Sequence, residues 1–310
     1  MTAGIHHVSA IGSDPQRIHD FYAGVLGLRL VKRTVNFDDA GTYHLYYGNG
    51  VGSPGTLMTL FAWAVPPLAS ARGRAGTGQI AATAFVVPAE SVDWWADRLA
   101  YGAIDFDGPA ERFGERVLLL RDPDGQRIEL VGSDAGASGF DAWAGAPVPA
   151  QHAIRRLHGV TLWLDEAGAT ARLLEDVLGL RHVASSDDRT RYAASDGSMV
   201  DLVRPGGAAG TMGVGVVHHV AWRAADRTEQ DGVRQRLIAS GLSVTPVLDR
   251  LYFESIYFRE PAGIVFEVAT DGPGFLVDES ASQLGEALRL PRWLEPRRDV
   301  IEARLPALRL

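Results

Sequence analysis

The chain is predicted to be an α+β protein: four βαβββ units that form two cupped mixed sheets, followed by a helical tail. Two observations predict this. The segments GTLMTLFAW, GQRIELVG, GSMVDLVR and GIVFEVAT each begin at a glycine, and four residues later stands a side chain that could reach a cation. These are Thr59 after Gly55, Glu129 after Gly125, Asp201 after Gly197 and Glu267 after Gly263. The second observation is that the opening strands recur as IHHVSAI, LHGVTLW and VHHVAWR, with a weaker relative in GQIAATAFVV. Self-similarity of this kind marks a repeat architecture.

The elements follow in order. Unit one, about residues 4–63, opens with IHHVSAI and continues into an amphipathic helix over about 14–26, with Asp14 as N-cap, Pro15 at the first helical position and Gly27 as the stop. Extended segments around LVKRTVNF and YHLYYG lead to the closing strand. Unit two, about 78–132, carries its helix near 89–99. Unit three, about 157–205, repeats VLGLR of residues 25–29 at 177–181. Unit four, about 215–271, has its helix near 228–240. The run from Asp134 to His152 is rich in Gly, Ala and Pro and reads as a linker, with a domain boundary near residue 145. Units one and two thus occupy 1–145, units three and four 146–274. The loop from Ala64 to Thr77 reads as exposed. Residues 275–310 read as a tail of short helices lying on the body.

Composition narrows the function classes. The chain has 310 residues, of which 46% are apolar, enough for a sizeable core. A net charge of −8 and the lack of any basic run interleaved with aromatics argue against nucleic acid or an anionic membrane as partner. No stretch reaches membrane-spanning length, and the N-terminus enters a strand at once, so a cytoplasmic location is expected. With no cysteine among its residues, any metal must be held by nitrogen and oxygen.

The ligand-bearing positions can be counted. Aligning the opening strands on Val8, Val160 and Val220 matches His7 with Gly159 and His219, and His6 with His158 and His218. Neighbours on a regular strand point to opposite faces, so only one histidine of each pair faces a given site. If units one and four share a sheet, one site collects His7, His219 and Glu267, with Thr59 as a neutral fourth position. Units two and three then share a site with no histidine. Two imidazoles and one carboxylate with open positions suit non-haem Fe(II), with Mn(II) as the alternative occupant. A carboxylate in the apolar run IVFEVAT is costly without a cation beside it. Glu129 and Asp201, near charged or flexible neighbours, are expected not to bind metal, and His158 to be structural.

The run GIHHVSAIGSDPQRIHDFYAGVLGLRLVKRTVNFDD, then YHLYYGNGVGSPGTLMTLFAW, DRLYFESIYFREPAGIVFEVATDGPGF and LPRWLEPRR, resembles the vicinal oxygen chelate superfamily, and within it the ring-cleaving dioxygenases that act on hydroquinones. The resemblance implies Fe(II) held by His7, His219 and Glu267, with His6, Ser9, His218, Arg250 and Tyr257 near the site. Where those enzymes tend to carry threonine, this chain has Ser9; the hydroxyl is kept and the packing against a substrate ring changes.

These residues fit the chemistry. An aromatic diol must lose a proton to ligate iron, which calls for a base such as His218 and for donors such as Arg250 and Tyr257 to hold an anionic oxygen. Arg250 is equally placed to pair with Asp249 or Glu254, and Tyr257 to be core. The expected partners are a small aromatic diol and O₂, and a homo-oligomer stays open. Three alternatives remain: a catechol-type extradiol dioxygenase, a metal-dependent isomerase or transferase of the glyoxalase kind, and a metal-free aromatic-binding module. Such isomerases commonly want more carboxylates, and Thr59 counts against one.

Overall fold

A computed structural model describes residues 2–63, 72–134 and 142–310. Its sixteen strands fall into four groups of four. The first is β1 (Ile5–Gly12), β2 (Arg29–Asn36), β3 (Asp39–Gly48) and β4 (Leu57–Ala62). The second is β5 (Gln79–Val87), β6 (Phe106–Arg112), β7 (Glu115–Arg121) and β8 (Arg127–Gly132). The third is β9 (Arg156–Trp163), β10 (Arg181–Ser185), β11 (Arg189–Ala193) and β12 (Met199–Val203). The last is β13 (Val216–Ala224), β14 (Leu248–Asp249), β15 (Phe253–Arg259) and β16 (Val265–Pro273).

These groups close into two eight-stranded sheets, β14-β15-β16-β13-β1-β4-β3-β2 and β10-β11-β12-β9-β5-β8-β7-β6. Unit one therefore shares a sheet with unit four, and unit two with unit three. The boundary expected near residue 145 falls between β8 and β9, and both sheets cut across it. In each unit the opening strand pairs parallel with the closing strand, and two opening strands meet antiparallel at the centre of each sheet, β1 with β13 and β5 with β9.

Local sequence explains the elements. Asp14 caps the first helix, its carboxylate accepting from the amides of Gln16 and Arg17 before Pro15–His19 runs on through Asp20–Val25, and Gly27 ends the turn at φ 74°. The four repeat glycines, Gly55, Gly125, Gly197 and Gly263, all take left-handed φ between 82° and 93°, which a side chain would strain. Alternation does the rest. Val8, Leu60, Val220, Val268 and Phe266 are buried against the helices, while His7, Thr59, His219 and Glu267 take the intervening positions on the concave face. Burying each such Val, Leu or Phe contributes about 1.5–3 kcal/mol.

The segment expected to be an exposed loop is so in part where it can be described: Arg72, Arg74 and Ala75 are exposed, while Gly76 and Thr77 are buried. Residues 64–71 lie outside the described residues, but Arg72, Arg74 and Thr77 make isolated bridges to Val214, Thr211 and Ala209. Part of the linker, residues 135–141, is also outside them. The tail lies on the body as short helices at Glu295–Arg297 and Arg298–Arg304. No helix among the described residues is long and apolar enough to cross a membrane.

Candidate metal centre

Backbone register builds the site. On β1 and β13 the pairing slips twice: Ile5 and His7 face Trp222 and Ala221, and Ser9 and Ala10 face His219 and Val217. His6 and His218 are thus the extra residues of two bulges. The second sheet bulges at the equivalent places, Ala81 and His158. A bulge re-aims side chains that strict alternation would send to opposite faces. Simple alternation puts His6 and His218 only at the margin of the site; instead, His6 Nδ1 lies 2.9 Å from His7 Nδ1, and His218 Nδ1 lies 2.7 Å from His219 Nδ1.

The other ring nitrogens converge. His7 Nε2 is 3.3 Å from His219 Nε2, and Glu267 Oε2 is 2.8 Å from His219 Nε2 and 3.4 Å from His7 Nε2. All three side chains are buried, Glu267 completely. Ser255 Oγ donates to Glu267 Oε1 at 2.5 Å and so fixes the carboxylate, while Oε2 has no hydrogen-bond partner. Burial pushes the Glu267 carboxyl up, and the facing His7 and His219 rings pull it down further, to well below the usual range. Burial lowers His219 although Glu267 pulls the other way. His6 and His218 are each lowered to about 3, first by burial and then by the neighbouring ring, so both are neutral.

That neutrality permits the tautomers a metal needs. A neutral His6 can accept at Nδ1 from His7 Nδ1–H, which leaves the His7 Nε2 lone pair facing inward, and His218 can do the same for His219. Two imidazole lone pairs and an unpartnered carboxylate oxygen then face one another in a buried space. Without a cation this arrangement is repulsive; with one it is satisfied. Among the described residues His7, His219 and Glu267 are the one group of this kind, their ligand atoms lying within 4.8 Å of one another.

These groups lie in a pocket of about 380 Å³, lined also by Ser9, His44, Tyr46, Arg250, Tyr257, Phe61, Phe253 and the Asn36–Phe37–Asp38 turn. Arg250 does not pair with Asp249 or Glu254. Its Nε lies 3.3 Å from Tyr257 Oη and its Nη1 3.3 Å from Asp38 Oδ2. Leu251 at φ 69°, its amide held by Asp249 Oδ1, makes the tight turn that presents Arg250. Tyr257 sits beside Glu267 in register and edge-on to His219, not in the apolar core. Thr59, the counterpart of Glu267, hydrogen-bonds Ser9 and His44.

Several residues of the site escape sequence reasoning: Ser255, which holds Glu267, and in the pocket His44, Tyr46 and the 36–38 turn. The available signal was alternation, since Ser255 stands two residues before Tyr257, and Tyr46 is the cross-strand neighbour of Thr59.

The equivalent place in the second sheet is filled by arginine. Arg112 clasps Glu129 with two bonds of 2.8 and 2.9 Å, and Arg191 clasps Asp201 at 2.7 and 2.9 Å. Glu115 accepts from Arg191 and lies 3.0 Å from His158 Nε2. Every carboxylate there already has a cation.

Comparison with known proteins agrees with the fold. The glyoxalase/bleomycin resistance protein/dioxygenase superfamily model matches residues 4–130 and 156–268. MhqO, a candidate ring-cleaving dioxygenase of Bacillus subtilis (strain 168), is 45% identical over 97% of this chain and 95% of its own. The chlorohydroquinone/hydroquinone 1,2-dioxygenase of Sphingobium indicum is 33% identical over 96% of this chain and 94% of its own. A crystal structure of a candidate dioxygenase from Bacillus subtilis superposes with a TM-score of 0.94 at 44% identity, covering 99% of this chain and 98% of that one. With the family model matching both halves and both central sheets in place, the chain belongs to the glyoxalase/bleomycin resistance protein/dioxygenase superfamily.

Proposed function

We propose that this protein is an Fe(II)-dependent dioxygenase that cleaves the ring of a hydroquinone next to a hydroxyl-bearing carbon. The observation that carries the reading is the convergence of His7 Nε2, His219 Nε2 and the unpartnered Glu267 Oε2 in a pocket that also holds cationic and phenolic donors. These three residues would hold the metal, with Mn(II) able to use the same donors. Fe(II) bound there supplies a Lewis acid and an electron source for dioxygen chemistry.

The chain's own residues do the rest. His6 and His218 accept from the two ligand imidazoles and keep their Nε2 atoms aimed inward. Ser255 holds Glu267 in place. Arg250 and Tyr257 offer donors to a ring oxygen, the guanidinium stabilising it as an anion. Phe37, Phe61 and Phe253 give the ring apolar walls and exclude water. Thr59 in place of a second carboxylate disfavours the isomerase class, and the named activity of the Sphingobium relative supports a para-diol over a catechol.

The test is anaerobic loading with Fe(II), then addition of hydroquinone or catechol while O₂ uptake and product mass are followed. One O₂ consumed per hydroquinone, with a product heavier by both oxygen atoms, is expected. Absence of O₂ uptake with either diol would sink the reading, and a preference for catechol would move the chain to the catechol-cleaving branch.

A further inference from the structure

Four side chains on β1, β3 and β4 make a continuous hydrogen-bonded chain whose two ends both open on the pocket. Ser9 Oγ is 2.7 Å from Thr59 Oγ1, Thr59 Oγ1 is 2.9 Å from His44 Nε2, and His44 Nδ1 is 2.9 Å from Tyr46 Oη. Register assembles it: Ser9 pairs with Thr59 on one side and Thr59 with Tyr46 on the other, and His44 lies two residues before Tyr46 on the same face. Phe61 packs against the His44 ring at 4.2 Å between centroids and holds it in line.

The chemistry of the members is notable. A serine, a threonine, a neutral imidazole and a phenol can each donate and accept at once. Among the described residues no charged group and no backbone carbonyl accepts from or donates to any of these four side chains, so nothing fixes the direction of the hydrogen bonds. Burial, reinforced by His7 and His219, drives His44 well below its usual value, and burial drives Tyr46 well above its own, so both stay neutral. Thr59 matters most. It stands where Glu267 stands in the other half of the sheet, and an ionised carboxylate there could accept at both ends but, having no proton of its own, could not donate to the next member as the threonine hydroxyl does.

We propose that Ser9, Thr59, His44 and Tyr46 form a proton relay for the substrate of this pocket, a role that rests on the dioxygenase reading above. The proton of a bound aromatic hydroxyl passes to Ser9 Oγ. In the same shift the Ser9 proton moves to Thr59 Oγ1, the Thr59 proton to His44 Nε2, the His44 Nδ1 proton to Tyr46 Oη, and the Tyr46 proton to water in the pocket. One substrate O–H bond breaks and one proton leaves. All four side chains end neutral, with every hydrogen bond reversed, and the opposite shift returns a proton to the ring-opened product. Ser9 and Tyr46 touch the substrate side; Thr59 and His44 act through them.

Thr59→Val keeps the shape and removes the link, Thr59→Ser keeps the link, and His44→Phe keeps the ring. Hydroquinone is titrated anaerobically into the Fe(II)-loaded proteins by calorimetry in buffers of different ionisation heat, which counts protons released on binding without turnover. The pH profile and solvent isotope effect on kcat are measured alongside. Thr59→Val and His44→Phe are expected to bind hydroquinone with loss of proton release and to lose kcat by about 100-fold or more, whereas Thr59→Ser keeps both. Wild-type proton release and turnover in Thr59→Val overturns the relay, and so does a Thr59→Ser loss as deep as that of Thr59→Val, which would make the position one of packing. A wild type that neither binds nor turns over hydroquinone overturns the dioxygenase reading and the relay with it.

Discussion

At the scale of single residues, the site is a matter of which donors lack partners. His7→Ala or Glu267→Ala is expected to lose stoichiometric metal, measured by elemental analysis of protein reconstituted with Fe(II), while Glu129→Ala, whose carboxylate is already matched by Arg112, keeps it. Retention of metal by Glu267→Ala would refute the assignment. A second residue speaks to stability. Asp122 accepts from the amides of Asp124 and Gln126 and from Tyr22, and burial first, with the charge of Asp124 adding, pushes its carboxyl up to about 6. An acid whose folded value lies above its unfolded value, near 3.9, stabilises the protonated protein. That stability is full below about pH 4 and is lost as pH rises through about 6, for a difference of about 3 kcal/mol. Asp122→Asn removes the charge, and rotation of Gln126, whose Oε1 is unpartnered, can satisfy the new amide. Urea unfolding from pH 4 to 8 should therefore show the wild type losing ground to the variant as pH rises. A constant difference between the two would count against this.

At the scale of elements, bulges and a clasp decide the geometry. The tail is held by Lys32, the one lysine in the chain, which is fully buried on β2 and donates to Asp278 at 2.6 Å and to Glu279. Tyr252 also donates to Asp278, so the clasp reaches the turn that carries Arg250. Lys32→Met leaves Asp278 without its cation and Glu279 with only Arg289, 3.4 Å away, and should destabilise the protein by about 3–5 kcal/mol, read from urea midpoints, with faster proteolysis in residues 275–290. Unchanged proteolysis would mean that the tail is held by its apolar contacts alone. The repeat glycines, the helix caps and the valine alignment of the opening strands were legible in the sequence because each is a local pattern. The bulges at His6 and His218 were not, since a register slip belongs to two strands at once. For the same reason His44 and Tyr46 went unnoticed: their importance depends on Thr59 lying across from them. The sequence singled out Glu129 and Asp201 but not the arginines that pair with them, which come from other strands.

At the scale of the whole molecule, two sheets of the same plan have diverged into a pocket and an ion-pair cluster. The second sheet cannot be turned back by restoring one histidine. A Cβ at Gly159, the counterpart of His7 and His219, would meet the Met199 carbonyl oxygen at 2.2 Å. Gly159→His is thus expected to bind no second metal and to cost about 1–3 kcal/mol through overpacking. Elemental analysis and thermal unfolding check both, and a second equivalent of metal in the variant would contradict the steric account.

The order of strands in the first sheet also bears on how the protein is made. Strands β5 to β12 are threaded between β4 and β13 in the chain, yet they build the other sheet. A ribosome therefore delivers everything the second sheet needs before it delivers His219 or Glu267. On the proposed assignment, the chain that has just emerged with His7 exposed holds one of three metal donors for most of its synthesis, and the loading of metal would wait until the last unit folds back onto the first.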